Sequence, residues 1–75
     1  MPEQIEIDAR GMKCPRPIVE LAKARRNVDA GTKIKITADD LAFESDLGAW
    51  CETTGNRLVD IERDGDTVTA IVEIL

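Results

Sequence analysis

The chain has 75 residues, 43% of them hydrophobic and 33% charged, with a formal net charge of −5. A chain this short buries only about 60% of the surface its unfolded form exposes, so one small core and two layers of secondary structure are the limit. No apolar run reaches the ~18 residues of a transmembrane helix. The start, Met1-Pro2-Glu3-Gln4, lacks the basic and apolar stretches of a signal peptide, so a cytoplasmic protein without a membrane partner is expected.

The acidic balance weighs against direct nucleic-acid binding, whose affinity comes mostly from neutralising phosphates. There is no histidine, which excludes a Cys–His nucleophile pair, a histidine general base and a His-ligated metal. Cys14 and Cys51 are too far apart for a CxxC redox pair and too few for a cysteine-only zinc site. Neither a metal nor a cofactor is expected.

In chain order the pattern reads β-α-β-α-β-β. Gln4 to Asp8 alternates, with Ile5 and Ile7 on one side, and predicts a short strand. Ala9 to Arg16 holds Gly11, Pro15 and the break before Pro17, and predicts a loop. Pro17 to about Val28 predicts a helix, with Ile18, Leu21, Ala22 and Val28 on one face. Arg25 falls on that face too, near enough to the helix end to extend its head to water. Asp29-Ala30-Gly31 is a turn. Lys33 to Ala38 alternates again, with Ile34, Ile36 and Ala38 inward and Lys33, Lys35 and Thr37 outward.

Asp39 or Asp40 is expected to cap a second helix, with Ser45 or Asp46 as later alternatives. Phe43, Leu47, Trp50, Cys51 and Thr54 share one face of it, and Gly55 suits the left-handed position that ends a helix. Arg57 to Arg63 places Val59 and Ile61 inward, Leu58 outward. Asp64-Gly65 is a hairpin signal, and Thr67 to Leu75 closes the chain with Val68, Ala70, Val72 and Ile74 inward. Every strand has one apolar face and one largely charged or Thr face, whereas a sheet covered on both sides reads as continuous apolar runs. The expected fold is therefore a two-layer α/β sandwich, with a mixed four-stranded sheet and both helices on one face. Its first crossover is right-handed and joins parallel strands. The expected core is Ile5, Ile7, Ile18, Leu21, Ile34, Ile36, Leu47, Trp50, Val59, Ile61, Val68 and Val72.

The chemistry concentrates in Asp8-Ala9-Arg10-Gly11-Met12-Lys13-Cys14-Pro15-Arg16-Pro17. Cys14 and Arg16 each precede a proline, which pushes both from helical angles. Pro17 is favoured as the first helical residue, because a helical Arg16 would clash with it. Pro15 in that position would instead make Cys14 the cap. Either way Cys14 lies near the positive end of a helix dipole, with Arg10, Lys13 and Arg16 close in sequence. Such surroundings lower a thiol pKa, and the prolines stiffen the loop, so Cys14 is the candidate nucleophile. Cys51, at helical spacing from Phe43, Leu47 and Trp50, reads as core filler, and a 14–51 disulfide is not expected.

The stretch Asp8-x-Arg10-Gly11-x-x-Cys14-Pro15-x-Pro17 resembles the TusA/SirA/YedF-like sulfur-carrier family, marked by Cys-Pro-x-Pro after the first strand. The similarity extends to Asp39-Asp40 after the second strand, Asp46 in the second helix, Thr54-Gly55 at its end and the C-terminal hairpin. The resemblance implies one sulfur-carrier domain over residues 1–75, with the fold of the C-terminal domain of translation initiation factor three. It implies that Cys14 carries sulfur as a persulfide or thioconjugate, supported by Arg10, Gly11, Lys13, Pro15, Arg16 and Pro17. It further implies a cysteine desulfurase or rhodanese-like sulfur donor and an acceptor protein, for example in tRNA thiolation or sulfur metabolism. The carrier is expected to be a monomer that contributes a nucleophile rather than a full active site. Arg16 departs from the acidic residue that carriers of the tRNA pathway often have between the prolines. The alternative is a non-catalytic regulatory or nucleic-acid-binding module of the same fold.

Overall fold

The computed structural model describes residues 4–75; Met1, Pro2 and Glu3, read above for a leader signal, lie outside the described residues. The elements are β1 (Gln4–Ala9), α1 (Arg16–Arg26), β2 (Lys33–Ala38), α2 (Phe43–Thr54), β3 (Arg57–Asp64) and β4 (Thr67–Glu73). The four strands form one sheet in the order β1-β2-β4-β3. β1 and β2 pair in parallel, from Gln4 opposite Lys33 to Ala9 opposite Ala38. β4 pairs antiparallel with β2 on one side and with β3 on the other.

The alternating pattern of β2 translates directly into two faces. Ile34, Ile36 and Ala38 are fully buried, whereas Lys33, Lys35 and Thr37 are half-buried on the other side. Ala70 and Val72 of β4 continue the buried face, and α1 supplies Leu21 and Pro17. Phe43, Leu47 and Cys51 of α2 join the same cluster, so both helices lie on one face, as the one-sided strands require. On the open face the register sets Lys35 opposite Glu6 and Lys33 opposite Glu73. Opposite charges across strands favour that register, although no ion pair closes between them among the described residues. The hydroxyls of Thr37 and Thr69 meet there at 3.3 Å.

Three details differ from the sequence expectation. First, α1 begins at Arg16, with Pro15 as the N-cap, and Pro17 is already the second helical residue. The amides of a first helical turn have no partner inside the helix, so Pro17 forfeits no hydrogen bond there. α1 also ends at Arg26 rather than near Val28. Asn27 stops it, its amide reaching Ala24 O at 3.1 Å and its Nδ2 donating to Lys23 O at 3.1 Å. Second, β3 does not keep strict alternation. Leu58 lies opposite Val72 and Asp60 opposite Ile71, leaving Val59 as an extra residue in a bulge. The bulge turns Val59 out of the core to 42% exposure and brings Leu58, expected outside, opposite a buried residue. Third, Trp50 is only half-buried, and Phe43 is the largest fully enclosed side chain. Of the remaining expected core, Leu21, Ile34, Ile36, Leu47 and Val72 are buried. Ile5, Ile7, Ile18, Ile61 and Val68 are half-buried.

Truncating a fully buried side chain removes its transfer energy and leaves a cavity, whereas an exposed bulge residue has neither to lose. Leu47→Ala is therefore expected to lower unfolding free energy by about 2–5 kcal/mol. Val59→Ala is expected to change it by roughly 0.5 kcal/mol or less. Urea denaturation of the two variants checks the contrast, which the strictly alternating reading of β3 would not produce.

Candidate functional site

Parallel pairing makes β1 and β2 end at the same edge of the sheet, since Ala9 lies opposite Ala38. The loop after β1 therefore meets the loop after β2. Gly11 turns the first loop with a φ of 83°, in the left-handed region where a Cβ is strained. Its amide donates to Asp39 Oδ1 at 2.9 Å, fastening one loop to the other. Within the first loop, Met12 N donates to Ala9 O at 3.2 Å and Arg16 N to Lys13 O at 2.8 Å. Cys14 lies within the second of these turns, just ahead of the α1 N-cap Pro15, and it is exposed.

The surroundings of the sulfur reverse one expectation. Cys14 Sγ donates to Asp46 Oδ2 at 2.8 Å, and Asp46 lies in the first turn of α2. That hydrogen bond to a carboxylate, partial desolvation and the negative charges of Asp46 and Asp40 push the Cys14 thiol above its ordinary pKa. Two of the three cations counted in the sequence are engaged elsewhere. Arg10 clamps Asp8, its Nε 2.9 Å from Oδ1 and its Nη2 2.9 Å from Oδ2. Arg16 leans toward Glu20 at 4.0 Å, on the exposed side of α1. Nearness in sequence brought the cations near the loop, but an acid from a distant helix took the contact with the sulfur.

The acidic residues after β2 also serve differently than expected. Asp39 does not cap α2; it holds the Gly11 amide. Asp40 accepts from Ala42 N at 3.1 Å through its side chain and from Phe43 N at 3.1 Å through its carbonyl, shaping the approach to a helix whose N-cap is Ala42. Ser45 and Asp46 lie inside the first turn rather than before it. Gly55 ends α2 in the left-handed conformation, φ 75°, as its position implied. The partnership of Asp46 and Asp39 with the first loop was missed in the sequence, where the signal was only the parallel crossover that sets the two loops side by side.

Beside the sulfur-bearing loop, Gly11, Met12, Lys13, Asp39, Asp40 and Leu41 line a shallow groove of about 330 Å³. Leu41 is 95% exposed at its rim. A second depression of about 420 Å³ lies on the open sheet face against Glu6, Asp8, Arg10 and Lys35, and Cys14 is not part of it. Cys51 is buried, and its burial pushes that thiol up as well. Both cysteines are free. Among the described residues no group of three or more His, Cys, Asp or Glu side chains is placed to hold a metal ion.

The two-layer sandwich thus carries its one exposed cysteine among the described residues where β1 leads into α1. The family model described as sulfurtransferase TusA matches residues 5–74. The chain belongs to the TusA family. It is 36% identical over 66 residues, 88% of its length, to "Putative sulfur carrier protein YrkF" of Bacillus subtilis. It is 33% identical over 70 residues, 92% of its length, to "Putative sulfur carrier protein" of Aquifex aeolicus. The chain spans only 36% of the length of each of those two relatives. A "Putative sulfur carrier protein" of Archaeoglobus fulgidus, 28% identical over 71 residues, is matched over 97% of its length. Among solved structures, a SirA-like protein from Desulfitobacterium hafniense superposes with a TM-score of 0.81 at 26% identity, covering 92% of this chain and 95% of that one.

Two outcomes follow from the site. In the native protein, iodoacetamide is expected to modify Cys14 well before Cys51, because one sulfur is exposed and the other enclosed. Peptide mass mapping over time checks this, and equal rates count against it. The second concerns Asp8, whose carboxyl is held down by hydrogen bonds from the Arg10 side chain and amide, from 3.8 to about 2. A depressed carboxylate pKa adds stability that is present above the unfolded value and lost as pH falls through the folded one. The loss therefore lies between about pH 4 and pH 2, and it is small because the pair is exposed. Stability measured across that window is expected to fall less steeply in Asp8→Asn than in the parent.

Proposed function

We propose that the chain is a sulfur carrier that holds sulfane sulfur on Cys14. It takes the sulfur from a cysteine desulfurase or rhodanese-like donor and hands it to an acceptor protein. The observation that carries this reading is the exposed Cys14 thiol on a braced, proline-flanked loop, in a chain of the TusA family. Gly11 supplies the turn and, through Asp39, the brace; Arg10 ties the loop start back to Asp8. Pro15 and Pro17 stiffen the entry to α1, while Lys13 and Arg16 flank Cys14 in the chain as cations available to an anionic donor sulfur.

The transfer needs only thiol–persulfide exchange. The Cys14 thiolate attacks the outer sulfur of the donor's persulfide. A new S–S bond forms at Cys14, the donor's S–S bond breaks, and the donor's cysteine leaves as a thiolate that takes up the proton Cys14 gave up. Cys14 sulfur rises to the persulfide level as the donor cysteine returns to the thiol, so no outside oxidant is needed. Hand-over to the acceptor repeats the exchange with Cys14 as the leaving group. In this reading the chain supplies a nucleophile and a platform, its partners supply the remaining catalytic groups, and the carrier works in the cytoplasm. Thiolation of tRNA or another branch of sulfur metabolism is the outlet. Among the described residues no helix is long and apolar enough to cross a membrane.

Incubation with a charged desulfurase, or with a rhodanese supplied with thiosulfate, is expected to add the mass of one sulfur atom to the parent chain. Cys14→Ser is expected to gain none, and Cys51→Ala to load like the parent. Loading of Cys14→Ser, or a parent that takes up no sulfur from any of these donors, overturns the reading.

A further inference from the structure

Cys14 does not extend freely from its loop. Its sulfur is bonded at 2.8 Å to a carboxylate of the other crossover, Asp46 at the start of α2. An ionised carboxylate offers acceptors only, so this bond exists only while the sulfur keeps its proton. Once the sulfur is an anion, the same geometry sets two negative charges at contact distance, and attraction becomes repulsion. The other charged groups around the sulfur reinforce the dependence. Asp40, from the loop after β2, adds a further negative charge. Asp39 is engaged by the Gly11 amide. Arg10 is held by Asp8, and Arg16 faces Glu20. Lys13 lies along the groove with Asp39 and Asp40. On its α2 side the sulfur therefore meets acid.

We propose that Asp46 is a positioning residue for Cys14, seating the empty carrier against α2 as a neutral thiol and letting it go when the sulfur becomes an anion. The proposal rests on Cys14 as the carrier sulfur and adds a regulation of that site. A persulfide is a stronger acid than the thiol it replaces. Loading converts Cys14–SH into Cys14–S–SH by the balanced exchange given above, and at neutral pH the product sheds its proton to solvent. The loaded sulfur then has nothing to donate to Asp46 and is repelled by it. Empty and loaded carriers thus differ in whether the Cys14 loop is docked on α2. The empty form keeps a guarded thiol that reacts slowly with electrophiles, and the loaded form projects its sulfur outward, where an acceptor reaches it.

The test is the pH profile of Cys14 alkylation by iodoacetamide in the full chain, compared among the parent, Asp46→Asn and Asp46→Glu. Removing the charge is expected to move the Asn profile to lower pH. Each pH unit of movement raises the rate at neutral pH by about threefold, because the tenfold gain in thiolate is partly offset by the weaker nucleophilicity of a less basic sulfur. Asp46→Glu keeps the charge and is expected to stay near the parent. An Asn profile that stays in place or moves upward overturns the proposal. A second readout needs no change at Asp46. In the parent, the Asp46 carboxyl carbon signal is expected to show an alkaline inflection at the pH where Cys14 ionises, and Cys14→Ser to lack it. A parent without that inflection also overturns the proposal. Sulfur uptake, followed by intact mass on the same samples, separates the two readings. If the parent fails to load, the carrier reading falls while the profile still decides whether Asp46 governs Cys14. If the parent loads and the profile does not move, only the role of Asp46 falls.

Discussion

The parallel pairing of β1 with β2 is the constraint on which the rest depends. Antiparallel neighbours would send the loops after the two strands to opposite ends of the sheet. Parallel neighbours send both to one edge, where Gly11 meets Asp39 and Cys14 meets Asp46. The same pairing demands a crossover, and α1 is that crossover, laid on the face that Ile34 and Ile36 make apolar. The hairpin of β3 and β4 then completes the sheet, with β4 inserted beside β2, and gives α2 its floor. Site and core are thus two results of one topological choice.

Much of this was legible in the residues. Alternation in β2 and β4 separates buried Ile34, Ile36, Ala70 and Val72 from their half-buried neighbours without ambiguity. Gly55 marks the end of α2 because only a residue without a Cβ takes that conformation cheaply. The exposed and buried cysteines were also separable, one by its prolines and one by its helical spacing from Phe43 and Leu47. What alternation does not encode is an inserted residue. β3 reads as regular in sequence, and only its pairing with β4 shows that Leu58 and Asp60 have consecutive partners with Val59 left over. The start of α1 was misplaced for a related reason. The rule against a helical residue before proline is an energetic preference, and the surrounding loop overrode it at Arg16.

The electrostatics of the sulfur were the least legible part. Charge counted along the sequence predicts a thiol surrounded by cations, yet each arginine near Cys14 has a carboxylate closer in sequence than the sulfur's own partner is. Local pairs cost less to close because little chain need be ordered to make them. The partner of the sulfur comes instead from α2, through a contact that exists only when both crossovers are in place. A thiol tempered by a distant element is tied, at the sulfur, to the packing of α2 against the first loop.

The bulge at Val59 has a bearing on how copies of the protein meet. β3 is an outer strand of the sheet, and a straight, apolar outer strand invites lateral growth by adding another chain's backbone. Here the strand is kinked by its extra residue and carries Arg57, Asp60, Glu62, Arg63 and Asp64. Arg63 is further tethered to Glu44 of α2, which pins the far end of the strand. An incoming strand would have to match the irregular spacing of donors and acceptors while desolvating that row of charges. The edge is thereby made a poor template for sheet extension.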